Sequence, residues 1–73
     1  MRSKLLESLQ SFLQYNARWE TAAAKLFVHR HTLRYRMRKV EELTGRDLSS
    51  SFDRMEFWLA LRARDLQTAQ IDG

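Results

Sequence analysis

The sequence predicts an all-α domain, a small helical bundle of about four helices, on two observations. There is no proline, and the only glycines are Gly45 and the terminal Gly73, too few turn residues for a sheet protein of this size. Apolar residues recur at helical spacing in separate stretches along the chain. Cysteine is absent, so no disulfide or thiolate-bound metal supplements the core. A chain of 73 residues holds a single domain, spanning 1–73, with a small core and marginal stability.

The first helix is expected over about residues 3–15. Leu5, Leu6, Leu9, Phe12 and Leu13 form one apolar stripe. Ser3 suits an N-cap. Asn16 suits the end, because asparagine tolerates the left-handed conformation of a C-cap. The second helix, about 19–27, is short. Its run Ala22-Ala23-Ala24 favours helix and leaves a low surface that another helix can approach closely. Val28 and His29 form a brief connection.

The third helix is expected from about Arg30 to Thr44. On a helical wheel Leu33, Met37, Val40 and Thr44 cluster on the buried side with Leu43 alongside. His31, Arg34, Tyr35 and Arg38 lie opposite, with Arg30 at the edge, and Gly45 stops the helix. The fourth begins near Ser50, where Ser50 and Asp53 have N-cap and N3 spacing. Phe52, Met55, Leu59 and Leu66 form its main stripe. Phe57 and Leu61 form a second stripe, roughly 140–180° from Phe52 around the helix. Trp58 falls between the stripes, and both Trp19 and Trp58 are expected to be core or half-buried. The last few residues are expected to fray.

Charge is concentrated rather than spread. The formal net charge is +4, yet residues 30–39 alone carry Arg30, Arg34, Arg36, Arg38 and Lys39 with no acid. The rest of the chain has eight basic and nine acidic residues. A nearly neutral scaffold with one basic segment suits a polyanionic partner; the plain alternative is a solvated surface. No apolar run is long enough to span a membrane, and the start lacks the apolar stretch of a signal peptide. The expected location is cytoplasmic.

Residues 20–39 have the layout of a helix-turn-helix: two helices joined by a short turn, the second exposed to enter a major groove. Ala23 is the small contact residue, Leu26 and Val28 bracket the turn, and Leu33 and Met37 face inward. Phe27 stands where a turn glycine is usual. Because phenylalanine accepts positive φ poorly, the turn is expected to keep ordinary dihedrals.

The run from Leu26 to Gly45, Leu-Phe-Val-His-Arg-His-Thr-Leu-Arg-Tyr-Arg-Met-Arg-Lys-Val-Glu-Glu-Leu-Thr-Gly, resembles the C-terminal helix-turn-helix of PucR/CdaR-type bacterial transcriptional regulators. The resemblance extends from about Leu5 to Leu66. His31 stands where that family commonly has asparagine, Asn16-Ala17 where glycines are frequent, and Ser51 where proline is frequent. The resemblance implies sequence-specific binding of double-stranded DNA for transcriptional control. It also implies that the chain is a C-terminal fragment of a larger regulator whose effector-sensing domains are its partners.

The residues expected at the DNA are His29, Arg30, His31, Thr32, Arg34, Tyr35 and Arg38. Arginine can pair with guanine O6 and N7 or with phosphate; the plain reading is solvated charge, or pairing with Glu41 and Glu42. His29 contacts DNA or merely occupies the N-cap region. The pair His29 and His31 points to opposite sides of a helix and has no third ligand nearby, which speaks against metal. Thr32 bonds a phosphate near the helix N-terminus or packs on the preceding turn. Tyr35 reaches a phosphate or a thymine methyl, or covers the helix. Thr21, Lys25, Arg36 and Lys39 are possible phosphate contacts. Phe57 and Leu61 either pack on the first helix or meet a second copy, since helix-turn-helix proteins often bind two half-sites as symmetric dimers.

The competing reading is a helical protein–protein interaction or assembly module using the apolar face of the fourth helix. RNA binding ranks lower, with no stacking sheet or GXXG loop. No phosphate loop or nucleophile–base arrangement points to an enzyme, and no cofactor is expected.

Overall fold

The computed structural model describes the backbone of residues 4–72 and the side chains of residues 4–67. It contains helices α1 (Lys4–Gln14), α2 (Trp19–Lys25), α3 (Arg30–Thr44) and α4 (Ser51–Asp72). The expected N-cap Ser3 lies outside the described residues, as do the last side chains, where fraying was expected. The backbone of α4 is helical to Asp72.

Helices α1, α2 and α3 pack on one another in pairs, and α4 packs against α1. Their core comprises Leu9, Phe12 and Leu13 of α1, Ala22 and Ala23 of α2, and Leu33, Met37 and Val40 of α3. Leu26 and Val28 close over its edge. Burying a side chain such as Leu33 contributes roughly 1.5–3 kcal/mol, a large share of what so small a domain can hold. The α1–α2 contact is close because small residues meet there. Ser11 is buried there, and its hydroxyl donates to the Ala22 carbonyl at 3.0 Å.

Two helix ends close in the same way. After α1, Ala17 N–H donates to Phe12 O at 2.9 Å and Asn16 N–H to Leu13 O at 3.2 Å. After α2, Val28 N–H donates to Ala23 O and Phe27 N–H to Ala24 O, both at 3.1 Å. This nested pair of bonds is a Schellman motif, and it requires a left-handed residue just past the helix. Asn16 supplies it at φ 57°, as its side-chain type suggests, and Ala17 follows at φ 64°.

Phe27 supplies it at φ 59°, which corrects the expectation of ordinary dihedrals at this turn. The two bonds, and the burial of Ala22 and Ala23 just before them, hold the reversal in place. The Phe27 ring is 94% exposed, so no packing accounts for its residue type.

The segment between α3 and α4 is pinned rather than slack. Gly45 caps α3 at φ 72° and donates to Glu41 O at 2.8 Å. Leu48 inserts into the core, and both its backbone groups are paired: its N–H with the Glu41 carboxylate and its carbonyl with the Arg54 guanidinium, each at 2.8 Å. Ser50 Oγ accepts from Asp53 N–H at 3.3 Å, as the capping spacing indicates. The Asp53 carboxylate, instead of reaching back to Ser50, accepts from Asp47 N–H at 2.8 Å.

Two burial expectations are corrected. On α3, burial ends at Val40: Leu43 is 74% exposed and Thr44 is exposed. The Thr44 hydroxyl closes the helix end instead, donating to Val40 O at 2.7 Å and accepting from Arg46 N–H at 3.2 Å. On α4 the stripes are exchanged. Phe57 and Leu61 pack against the core, the first of the two readings given for them, while Phe52, Met55, Leu59 and Leu66 are more than half exposed. Trp19 is half-buried, but Trp58 stays 37% exposed beneath the Arg62 guanidinium.

Candidate nucleic-acid interface

The start of α3 is set by a histidine acting as N-cap. His29 has extended backbone (φ −73°, ψ 149°), and its Nδ1 accepts from His31 N–H at 3.1 Å. This satisfies one of the N–H groups that every helix start leaves without an intrahelical partner. The two imidazoles stack, with centroids 4.7 Å apart and planes 16° from parallel, which corrects the expectation that they point to opposite sides, because His29 is the extended cap and not a helical residue. One nitrogen of His29 is therefore committed to the helix start, and the ring is held against that of His31.

From this cap the helix turns its two faces apart. Leu33, Met37 and Val40 are buried, whereas His31, Arg34, Tyr35 and Arg38 are exposed on the side away from the core. Tyr35 is 61% exposed and so presents ring and hydroxyl together. Thr32 is half-buried in the first turn, where its N–H donates to His29 O at 3.0 Å.

Two of the arginines are held by consecutive residues at the start of α2. Arg30 Nη1 lies 2.9 Å from Glu20 Oε2. The Arg34 guanidinium carbon lies over the Trp19 ring, 5.0 Å from its centroid, and that ring packs in turn on buried Phe12, 4.5 Å away at 42°. Neither arginine pairs with Glu41 or Glu42, the partners the plain reading proposed: Glu41 bonds Leu48 N–H, and Glu42 lies 3.7 Å from Lys39 Nζ. Arg18, Trp19, Glu20, Thr21, Arg30, His31 and Arg34 line one open cleft between the start of α2 and the first turns of α3. Three guanidiniums and a threonine hydroxyl around one groove form a surface suited to phosphate oxygens.

The structure brings Thr21 into this constellation but leaves other expected phosphate contacts outside it. Arg36 is half-buried and donates to the Ser8 hydroxyl of α1 at 3.1 Å, so it serves the packing of α1 on α3. Lys25 lies over the Tyr15 ring at the end of α1, 5.9 Å from its centroid. Lys39 is on α3 beside Glu42. Arg18 and the ring of Trp19 were missed by sequence reasoning. The signal was present in the adjacency of Arg18-Trp19-Glu20 to the helix-turn-helix, but a half-buried tryptophan reads as core until its arginine neighbour is seen.

Beyond this surface, the loop before α4 carries its own electrostatics. Two hydrogen bonds from Ser49, hydroxyl at 2.6 Å and N–H at 2.9 Å, hold the Asp47 carboxyl below its ordinary value, and the nearby Arg54 charge adds to this. Arg46 pairs with Glu56 and lies 3.7 Å from Asp53. These acids are matched within the loop and the start of α4.

The family model for the PucR C-terminal helix-turn-helix domain matches residues 5–63. The chain is 49% identical over 59 residues to the transcriptional activator PmfR of Paenarthrobacter nicotinovorans, covering 81% of this chain and 13% of that protein. It is 37% identical over 59 residues to the proline-responsive transcriptional activator PutR of Bacillus subtilis, 81% of this chain and 14% of the relative. To the carbohydrate diacid regulator of Escherichia coli it is 36% identical over 58 residues, 80% and 15% respectively. The chain thus spans about one seventh of the length of these regulators. No solved structure matches it significantly. With its model matched over residues 5–63, the chain belongs to the PucR C-terminal helix-turn-helix domain family.

Proposed function

We propose that this domain binds double-stranded DNA sequence-specifically to control transcription, with α3 in the major groove and the start of α2 along the backbone. The observation that carries this reading is the division of α3: Leu33, Met37 and Val40 are buried on one side, and His31, Arg34, Tyr35 and Arg38 are exposed on the other. Base edges are read from the first two turns, by His31, Arg34 and Tyr35, with Arg38 one turn further on. His29, through the cap it forms, sets the angle of those turns. Arg18, Thr21, Arg30 and Thr32 meet phosphates. Lys25, Arg36 and Lys39 are secondary to these. The domain is a binding module and not a catalyst.

Relatives named as transcriptional activators, among them PmfR and PutR, support control of transcription as the outcome of binding. Effector-sensing domains of a parent regulator complete the proposal, supported by the small fraction of each relative that the chain matches. Two copies on a two-fold symmetric site are part of it as well, since this is how helix-turn-helix domains commonly bind. Phe57 and Leu61 are packed on the domain's own core, so a contact between copies falls to residues other than these.

The test is Arg34→Ala on a duplex selected by the chain from a random pool. The expected outcome is a loss of about 1–3 kcal/mol in binding together with relaxed preference at one base position. Unchanged affinity and preference, with the helical circular dichroism intact, rule the reading role out.

A further inference from the structure

The two arginines at the head of the reading helix are held in different ways. Glu20 engages a donor of Arg30 directly, at 2.9 Å, and the Glu20 side chain is 79% exposed. A pair so open to water is weak and is screened by salt, and phosphate competes for the same donor. Trp19 holds Arg34 through its ring, 5.0 Å from the centroid. The ring cannot drift, because it belongs to the rim of the core and rests on Phe12, a residue 2% exposed. A cation–π contact draws on the charge of the guanidinium and leaves its N–H donors free for hydrogen bonds to a base.

We infer that Trp19 is a positioning residue for base recognition: it fixes Arg34 as the base-reading arginine, while Arg30, released from Glu20, serves the phosphate backbone. This rests on the reading of α3 as the major-groove helix and assigns its specificity to a side chain on the preceding helix. A long arginine loses rotamer freedom when it docks on a base. One already restrained on a ring loses less, and it gains most where the correct base is present. The indole therefore raises the preference for the correct sequence more than it raises affinity for DNA in general.

The experiment measures binding of the 73-residue chain to two duplexes of equal length: the one it selects from a random pool and a scrambled version. Four proteins are compared: wild type, Arg34→Ala, Trp19→Leu, which keeps apolar packing on Phe12 but removes the π face, and Trp19→Tyr, which restores a π face. Trp19→Leu is expected to lose about three- to tenfold of the preference for the selected duplex, with affinity for the scrambled duplex unchanged. Trp19→Tyr is expected to recover most of that loss.

If Arg34→Ala loses the preference and Trp19→Leu keeps it, the role of Trp19 is overturned and the reading of Arg34 stands. An unchanged preference in Arg34→Ala overturns both. Equal weakening on both duplexes in Trp19→Leu also overturns the proposal, since it marks a general packing or contact role. Should Trp19→Leu fail to fold, fluorinated tryptophan placed at position 19 keeps the shape of the ring while withdrawing π density. A stepwise fall in preference with fluorination supports the proposal, and a flat series overturns it.

Discussion

Phe27 is the residue at which local preference and structure disagree most. Left-handed backbone costs a residue with a Cβ about 1–2 kcal/mol, and this side chain is almost wholly in solvent, where it recovers nothing by packing. Phenylalanine accepts positive φ poorly, so its place at the turn favours ordinary dihedrals. The Schellman bonds from Phe27 and Val28 make the opposite choice, because they satisfy carbonyls at the end of α2 and hold Val28 at the core. Phe27→Gly is therefore expected to stabilise the domain by about 1 kcal/mol, seen as a rise of about 4–8 °C in thermal midpoint for a domain of this size. An unchanged or lower midpoint means the left-handed turn carries no strain. His29 yields a second residue-scale expectation. His29→Ala removes the acceptor for His31 N–H and costs about 1 kcal/mol, whereas His29→Asp keeps it and costs little; equal denaturation midpoints for the two variants contradict the capping role.

At the scale of elements, α1 and α3 were legible because each has one apolar stripe, and a single stripe can only face the core, while the alanine run marked α2. The fourth helix has two, and counting apolar residues chose the larger. What decides between them is geometry the sequence does not display. Leu48 enters the core and Arg54 bonds its carbonyl, which orients the start of α4 so that Phe57 and Leu61 meet the bundle. An isolated leucine in the polar run from Arg46 to Ser51 was the available signal for that anchor. Phe57→Ala is accordingly expected to lower the urea midpoint clearly, while Phe52→Ala changes it little; the reverse order contradicts the assignment of the faces. Leu48→Ala is expected to cost about 2–5 kcal/mol, enough to unfold much of a domain whose total is of that order.

The same loop has a pH signature. Asp47 titrates lower in the folded chain than in the unfolded one, so its contribution is present above its ordinary range near pH 4 and is lost as acid takes the pH through the folded value. Asp47→Asn is expected to flatten the acid limb of a thermal-midpoint profile and leave its shape near neutral pH unaltered. An acid limb as steep as that of wild type removes Asp47 from the account.

The whole molecule is a nearly neutral bundle with one basic helix. None of its described helices is long and apolar enough to cross a membrane. The exposed basic face of α3 was largely legible, because basic residues spaced four apart on α3 share a side whatever the tertiary detail. Its support was not: the two residues that hold Arg30 and Arg34 lie on α2, and only the packing of α2 on α3 brings them there. Neutralising phosphates releases counterions, so affinity for random duplex is expected to fall steeply with salt. Arg30→Ala is expected to weaken all sequences alike and reduce the logarithmic salt slope by about 1; an unchanged slope takes Arg30 off the phosphates.

The central claim, that the exposed face of α3 reads base sequence, is tested most directly by presenting the 73-residue chain with a random duplex pool at low salt and sequencing what it retains over several rounds. The result expected is enrichment of one short motif, with a second, inverted copy about one helical turn away if two chains bind, and a motif relaxed at one base position when Arg34→Ala is put through the same selection. A folded wild-type chain that retains no DNA at low salt, or that retains it without enriching any sequence, contradicts the claim.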